Sequence, residues 1–288
     1  MTLTFPAGTL FLPHAGDASV PLPSPDAPTG FVWPAARGRE TLRAARGGPI
    51  EVRGDLVGQH GTADGSGRSD TLVCRTGAWC IKTSSRRRYA DADAGSAALV
   101  RSAREKTLLG ELFVPETALV LQPDGAGAFW LWTVAPWLTT LRSRMTVATQ
   151  ANDEAALGLA LMDFARAAVD AMVLASVRQV VLDLHPSNYA ERAGRLHYVD
   201  DDVAFGATFP MLGHALLRRV EEYEVWPAAT ERYLQGLEAQ MSARLDGPAI
   251  ARLGLRVALE QCFVRTTTGV AAQERLLSHL RKVARGRR

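Results

Sequence analysis

Hydrophobic and polar positions follow strand spacing in the part of the chain that begins near residue 49. Short apolar runs bounded by turn residues predict a strand over 50–57 and two further strands over 71–75 and 78–82, joined by a Thr-Gly turn. A glycine-rich loop over 58–70 lies between the first strand and this hairpin. The pattern therefore predicts a small sheet early in the chain.

The apolar spacing changes to that of a helix over 92–112, and Pro115 marks the end of this helix because proline cannot continue it. Two more strands are predicted over 118–122 and 128–133, around a Pro-Asp-Gly turn at 123–125. This part of the chain is thus predicted to contain five strands and one helix.

The chain after Pro136 is mostly helical in pattern, apart from a short strand over 195–199. Helical periodicity predicts helices over 153–174, 211–224, 227–243, 248–262 and 270–285. Strands that come first and helices that come later favour an α+β fold with two lobes over a parallel, doubly wound sheet.

Three regions follow from these patterns. Residues 1–48 are rich in proline and show little periodicity, so they are predicted to form an irregular arm with one short helix around 37–45. Residues 49–134 form a β-rich N-terminal lobe, and residues 135–288 form a helical C-terminal lobe. No internal repeat is present.

Composition narrows the class of protein. Hydrophobic residues make up 47% of the chain and charged residues 22%, which is ordinary globular usage and excludes wholesale disorder. No run approaches the roughly 20 apolar residues that span a bilayer. The N-terminus lacks the basic segment of a secretory signal. We expect a soluble, cytoplasmic protein with no membrane partner.

The charge pattern argues against nucleic-acid binding. Only three of the 33 basic residues are lysines, namely Lys82, Lys106 and Lys282. Basic residues alternate with acidic ones except in the run 86–88 and the tail 281–288, where solvated side chains are favoured over a weak phosphate-binding role. The three cysteines are odd in number and lack metal-site spacing, so free thiols are expected.

One segment of the C-terminal half concentrates polar side chains. Asp183 precedes Asn188 by five positions, with Pro186 between them, and the predicted strand over 195–199 is followed directly by the aspartates 200–202. A carboxylate and a carboxamide on one loop, facing a carboxylate at a strand end, form an oxygen-rich pocket. Mg²⁺ prefers such ligands and completes its shell with phosphate and water.

These residues resemble the protein-kinase-like superfamily, and its branch of aminoglycoside and other small-molecule phosphotransferases in particular. The family places an aspartate five residues before an asparagine, and a metal-binding aspartate follows at a strand end. Here Asp200 follows Asp183 by seventeen residues, within the segments DLHPSN and VDDDVAFG. The resemblance implies that Asp183 is the catalytic base and that Asn188 and Asp200 bind Mg²⁺.

The resemblance also implies a nucleotide-binding N-terminal lobe. Lys82 ends the third predicted strand, where the family has a lysine that contacts nucleotide phosphates, and Glu105 is the first glutamate after it, so the two are expected to form an ion pair. Val134 and Ala135 correspond to the hinge, whose main chain reads the adenine of ATP. The glycine-rich loop, with Gly58 and Gly61, corresponds to the loop that covers the phosphates.

The sequence departs from the family pattern at several positions. Val181 replaces the usual histidine, and Leu182 stands where regulated protein kinases carry arginine. The D-F-G triplet is replaced by the aspartates 200–202, and the glycine spacing is irregular. The segment after Asp202 is short and has no A-P-E, which leaves little room to dock a peptide. A small molecule is therefore the favoured acceptor.

The sequence thus predicts a kinase-type enzyme that uses ATP and Mg²⁺ to phosphorylate a hydroxyl group. A protein substrate is the first alternative. A non-catalytic, pseudokinase-like binding module is the second, since pseudokinases begin with departures of this kind from the family pattern. A nucleotidyl transferase is a third. His185 is expected to bond its own loop rather than a phosphate. Neither a Ser-His-Asp triad nor a zinc pattern is present.

Overall fold

The structure is a computed structural model that describes residues 9–11, 19–21, 31–45, 50–52, 71–206, 209 and 211–286. The predicted glycine-rich loop, including Gly58 and Gly61, lies outside these residues. The chain divides into two units. The first comprises Met1–Thr107 and Val114–Trp137, and the second comprises Leu108–Phe113 and Leu138–Arg288. An antiparallel sheet lies in the N-terminal part and helices dominate after it, which confirms the α+β class.

The first unit is built on one antiparallel sheet. Its strands and helices are β1 (Thr9–Phe11), β2 (Ser19–Pro21), β3 (Phe31–Trp33), α1 (Ala35–Ala45), β4 (Ile50–Val52), β5 (Thr71–Thr76), β6 (Trp79–Ser84), β7 (Arg88–Tyr89), α2 (Ala92–Leu108), β8 (Ala118–Pro123) and β9 (Phe129–Pro136). The sheet order is β3-β8-β9-β6-β5-β4, with β7 also pairing with β9, while β1 and β2 pair with each other.

Alternation along the strands gives the sheet two apolar faces. One face packs against α1 through Leu42 and Ala45, and it includes Leu72, Cys74, Ile81, Ala118, Val120, Trp130, Trp132 and Val134. The other packs against α2 through Ala98, Leu99 and Ala103, and it includes Leu119, Leu121 and Leu131. We call them the α1 face and the α2 face. The strands are thus buried on both sides, which explains their nearly continuous apolar runs.

The segment predicted as an irregular arm contains regular structure. β3 pairs with β8, with Val32 opposite Val120, so it extends the sheet at one edge. The predicted short helix is α1, which begins at Ala35 and buries Leu42 and Ala45. Three residues of strand are too few to show a period of two, so only the pairing with β8 reveals β3.

Helix α2 is shorter than predicted. It ends at Leu108, and a 3-10 turn over Gly110–Leu112 follows, whereas the sequence predicted one helix to residue 112. Gly110 has φ of +60°, a left-handed conformation that stops an α-helix and that glycine adopts without strain. The helix therefore ends before Pro115 is reached.

The second unit is mainly helical. Its elements are α3 (Leu141–Gln150), α4 (Glu154–Arg178), β10 (Val180–Leu182), β11 (Tyr189–Arg192), β12 (Arg195–Tyr198), β13 (Val203–Phe205), α5 (Leu212–Glu222), α6 (Pro227–Arg244), α7 (Gly247–Arg252), α8 (Leu255–Glu260) and α9 (Thr267–Gly286). Among the described helices, none has the length and apolar character needed to span a membrane. The sequence analysis did not predict α3.

Helix α4 runs through the core of this unit. Its N-cap Asp153 accepts a hydrogen bond from the Ala156 N–H, which starts the helix. Small residues let α6 approach closely: a Cβ on Gly236 would lie 3.3 Å from the Ala165 Cβ. The rings of Phe164 and Tyr233 stack between the same helices, with centroids 6.2 Å apart.

The predicted helix over 248–262 is interrupted. α7 ends at Arg252 and α8 begins at Leu255, because Gly254 has φ of +58° and turns the chain between them. The period of the apolar residues hardly changes across this break, so the sequence pattern alone predicted one helix. α8 then packs against α5.

We expect Gly213→Ala to destabilise the second unit. Gly213 lies in α5, where an added Cβ would overlap the Ala258 carbonyl oxygen. Overpacking of this kind costs about 1–3 kcal/mol, which outweighs the gain of up to ~1 kcal/mol from replacing a helical glycine by alanine. Urea unfolding measures the change. Gly247→Ala is the control, since its Cβ would meet the Ala284 carbonyl at an ordinary 3.6 Å. Equal stability of both variants would refute this packing.

Candidate functional site

Two strand pairs bring the polar residues of the second unit together. β10 and β13 are antiparallel, with Leu182 opposite Val203. Asp183 directly follows β10 and Asp202 directly precedes β13, so the register places these two aspartates side by side at one end of the pair. The Tyr198 hydroxyl donates to the Asp202 carbonyl at 2.8 Å and anchors this corner.

The second pair is the hairpin of β11 and β12, in which Tyr189 lies opposite Tyr198. The Val199 N–H donates to the Asn188 carbonyl at 2.8 Å, which continues the pairing by one step. Asn188 therefore lies next to the residue that precedes Asp200. Asp183 and Asn188 thus lie near the start of the segment that carries Asp200, and their joint role as a site stays a prediction.

Asp183 and Asn188 are directly connected. The Asn188 Nδ2 donates to the Asp183 Oδ2 at 2.9 Å, which orients both side chains. Asp183 is exposed, whereas Asn188 is only 3% exposed. The buried Asn188 side chain thus holds the Asp183 carboxylate in place, and that carboxylate is exposed to solvent.

The loop between them is stabilised by its own side chains. Pro186–Asn188 form a 3-10 turn whose N-cap is His185, and the Ser187 N–H donates to the His185 Nδ1 at 3.3 Å. The Ser187 Oγ lies 2.6 Å from that nitrogen and donates to the Asn188 Oδ1 at 3.3 Å. His185 therefore bonds its own loop, and Ser187 is a supporting residue that the sequence analysis missed.

Two buried tyrosine side chains lie close to the cluster. The Tyr189 and Tyr198 rings meet edge to face, with centroids 5.3 Å apart, and both are almost fully buried. Burial, reinforced first by the negative charge of Asp183, raises the pKa of Tyr189 well above the ordinary phenol value. Burial and the charge of Asp200 raise the pKa of Tyr198 in the same direction. Both phenols therefore stay neutral, and they form a weakly polar surface close to the carboxylates.

The donor set suits a hard divalent cation. Asn188 donates from its Nδ2 to Asp183, and its Oδ1 is an acceptor. Asp200 supplies a carboxylate directly after Val199, whose N–H donates to the Asn188 carbonyl. One carboxylate and one amide oxygen match the way Mg²⁺ is bound when phosphates complete its shell. Among the described residues, no three histidine, cysteine, aspartate or glutamate side chains converge as an all-protein metal site.

Lys82 lies in the sheet of the first unit and is only 9% exposed. It stands directly opposite Thr133 of β9, and its neighbour Ile81 belongs to the α1 face. Because successive strand residues point to opposite faces, Lys82 and Thr133 lie on the α2 face. A lysine this deeply buried in a sheet is unusual.

Helix α2 directs two charged residues toward the same face. Glu105 follows Ala98 by two helical turns, and Lys106 follows Leu99 by two turns, so both continue the stripe that packs on the sheet. Lys106 is 5% exposed. The structure places Glu105 and Lys82 on one side of the sheet, and their ion pair stays a prediction. The sequence analysis missed Lys106, although its distance of seven residues from Leu99 was a usable signal.

The residues assigned to the hinge lie inside β9. Val134 is fully buried and pairs with Ile81 on one side and Ala118 on the other. Ala135 pairs with Cys80, and pairing of β9 with β8 stops at Val134 in the described part of the chain. Their purine-reading role stays a prediction. The chain passes into the second unit three residues later than the sequence boundary at 134, after Trp137.

Comparison with known proteins assigns the chain to no family. No protein-family model, no curated protein and no solved structure matches the chain. Function must therefore be argued from the side chains described above: a carboxylate–carboxamide cluster on the second unit, and buried cations on one face of the sheet in the first.

Proposed function

We propose that this protein is an ATP- and Mg²⁺-dependent phosphotransferase of the bilobal, protein-kinase-like fold. It would transfer the γ-phosphate of ATP to a hydroxyl group of a small molecule. The observation that carries the proposal is the 2.9 Å hydrogen bond from Asn188 to Asp183, on a loop that two strand pairs join to Asp200. A base, an amide ligand and a carboxylate ligand are the groups that phosphoryl transfer requires of such a loop.

Asp183 would act as the base. Its exposed carboxylate accepts the proton of the acceptor hydroxyl while the hydroxyl oxygen bonds to the γ-phosphorus. The bond from phosphorus to the bridging oxygen breaks, and ADP leaves with that electron pair. The bond from Asn188 holds the carboxylate in one orientation, so little reorganisation is needed during the step.

Asn188 and Asp200 would hold the metal with their side-chain oxygens. Mg²⁺, when bound, neutralises charge on the phosphate oxygens. Lys82 would contact the phosphates as a buried cation, with Glu105 on the same side of the sheet as its partner. Adenine would contact the main chain near the end of β9, around Ala135.

A small acceptor is favoured over a protein. β13 ends at Phe205 and α5 begins at Leu212, so only six residues separate this strand from the next helix. Leu182 offers no cation to a phosphorylated loop. A long, switchable segment that docks a peptide does not fit in this interval.

We expect Mg²⁺-ATP to stabilise the folded protein. A ligand at a hundredfold excess over its dissociation constant raises the free energy of unfolding by ~2.7 kcal/mol, because it binds only the native state. Thermal unfolding with ATP and Mg²⁺ measures the shift, and ATP with EDTA is the control, which should give a smaller one. If millimolar Mg²⁺-ATP gives neither a shift nor heat in calorimetry, the proposal fails.

Labelled ATP separates the proposed activity from its alternatives. Transfer of label from the γ position to a hydroxylated acceptor supports a phosphotransferase. Transfer from the α position would instead indicate a nucleotidyl transferase, and binding without any transfer across a broad acceptor panel would indicate a binding module. Incorporation into protein but not into small molecules would identify the protein-kinase alternative.

A further inference from the structure

Two members of the basic run 86–88 contact residues on different faces of the sheet. Arg88 pairs with Trp130 of β9 and lies over its ring at 5.9 Å, and it forms a 2.7 Å salt bridge with Asp124. Trp130 belongs to the α1 face. Arg88 therefore has a structural role on that face, bound to a carboxylate and an indole.

Arg87 points the other way. It ends the 3-10 turn over Ser85–Arg87, which follows β6 directly, and its guanidinium donates to the Thr133 Oγ1 at 2.8 Å. Thr133 is 3% exposed and stands opposite Lys82 on the α2 face. Opposed residues in an antiparallel pair have their Cβ atoms about 4.5–5.5 Å apart, so Arg87 donates to the residue that directly faces Lys82.

Thr133 connects two cationic residues on the α2 face. Its hydroxyl accepts a hydrogen bond from Arg87, and it stands opposite the buried Lys82 in the strand pair. Two cationic side chains that meet at one residue can contact the oxygens of one phosphate chain together. A guanidinium carries five N–H donors in a planar fork, so its bond to Thr133 is compatible with contacts to phosphate oxygens.

We propose that Arg87 binds the phosphate chain of the nucleotide together with Lys82. This inference rests on the proposed function, because Arg87 would contact the same ATP molecule that the proposed function requires. Thr133 holds the guanidinium over the sheet, so that the arginine contacts the phosphates from a fixed position. The cluster 86–88 is thus not uniformly solvated: its middle member is a ligand-binding residue.

Three variants test the assignment. Arg87→Met removes the cation, Thr133→Val keeps it but removes its anchor, and Arg86→Met is the matched control, since Arg86 is an exposed arginine on the same turn. Calorimetry with Mg²⁺-ATP, adenosine and inorganic tripolyphosphate separates contacts to the phosphates from contacts to the nucleoside. Circular dichroism establishes that each variant is folded.

We expect Arg87→Met to weaken the binding of ATP and tripolyphosphate by about tenfold or more, the usual effect of losing a charge-assisted hydrogen bond. Thr133→Val should weaken both by a smaller factor. Adenosine binding should not change in either variant, and Arg86→Met should match the wild type. If Arg87→Met does not fold, Thr133→Val decides, and an unchanged ATP affinity in that variant would overturn the inference.

Other results separate this inference from the proposed function. If the wild type binds ATP but Arg87→Met binds it equally well, or loses ATP and adenosine affinity alike, the role of Arg87 is refuted while the proposed function stands. If the wild type binds tripolyphosphate through Arg87 but gains nothing from adenosine, the anion site stands and the nucleotide proposal falls. A wild type that binds none of the three refutes both.

Discussion

Asp183→Asn should lower turnover by about a hundredfold or more while leaving nucleotide affinity within tenfold of the wild type, a difference of less than ~1.4 kcal/mol. The substitution removes the proton acceptor but preserves shape. The amide oxygen of the new side chain can still accept the Asn188 Nδ2–H, so the 2.9 Å bond that orients the loop is retained. Steady-state turnover and calorimetry with Mg²⁺-ATP measure the two quantities on the same preparation.

Asp202→Asn is the matched control for this prediction. It removes one negative charge from the residue that the strand register places beside Asp183, but its side chain is exposed and has no assigned catalytic role. Because water screens exposed charges, its turnover should stay within about threefold of the wild type. If Asp183→Asn retains full turnover, or if both variants lose the same amount, the base has been assigned to the wrong residue.

Asp200→Asn should reduce Mg²⁺-dependent nucleotide binding and turnover together, each by at least about tenfold. The change removes a negative charge from the proposed metal ligand, so added Mg²⁺ should partly restore both quantities by mass action. The measurement is a Mg²⁺ titration of turnover, with calorimetry of ATP binding at low and high Mg²⁺.

The control for the Asp200→Asn prediction is the removal of Mg²⁺ with EDTA. In EDTA the wild type and Asp200→Asn should bind ATP with the same affinity, because no metal is present for the carboxylate to hold. An equal loss of affinity with and without Mg²⁺ would mean that Asp200 acts on the nucleotide or on folding rather than on the metal. A loss of turnover that excess Mg²⁺ leaves unchanged would have the same meaning.

The sequence was sufficient for features that depend on near neighbours along the chain. Periods of two and 3.6 residues predicted the strands β5, β6, β8 and β9 and most of the later helices, hence the α+β class. The short loop from Asp183 to Asn188 contains a proline, which limits its conformations enough to predict that its two ends belong to one site. The structure shows a 2.9 Å hydrogen bond between the two side chains, and their joint role in a site stays a prediction.

The backbone conformation of individual glycines limited what the local sequence pattern could predict. Gly110 and Gly254 both adopt positive φ and end helices where the apolar period continues. A glycine in a helical pattern can either remain in the helix, as Gly213 does, or end it, and the surroundings decide between these outcomes. The sequence therefore predicted the presence of the helices more accurately than the residues at which they end.

Only the tertiary structure decided which distant residues meet. The pairing of β10 with β13 places Asp183 beside Asp202, and the pairing of β6 with β9 places Lys82 opposite Thr133, the residue to which Arg87 donates. Strand partners and faces are selected by burying apolar side chains on both sides of a sheet, a property of the whole unit that no short window of sequence contains. A run of three arginines is uniform as sequence, and only the folded unit gives Arg87 and Arg88 different partners: Arg87, in the 3-10 turn, donates to Thr133, whereas Arg88, in β7, contacts Trp130 and Asp124.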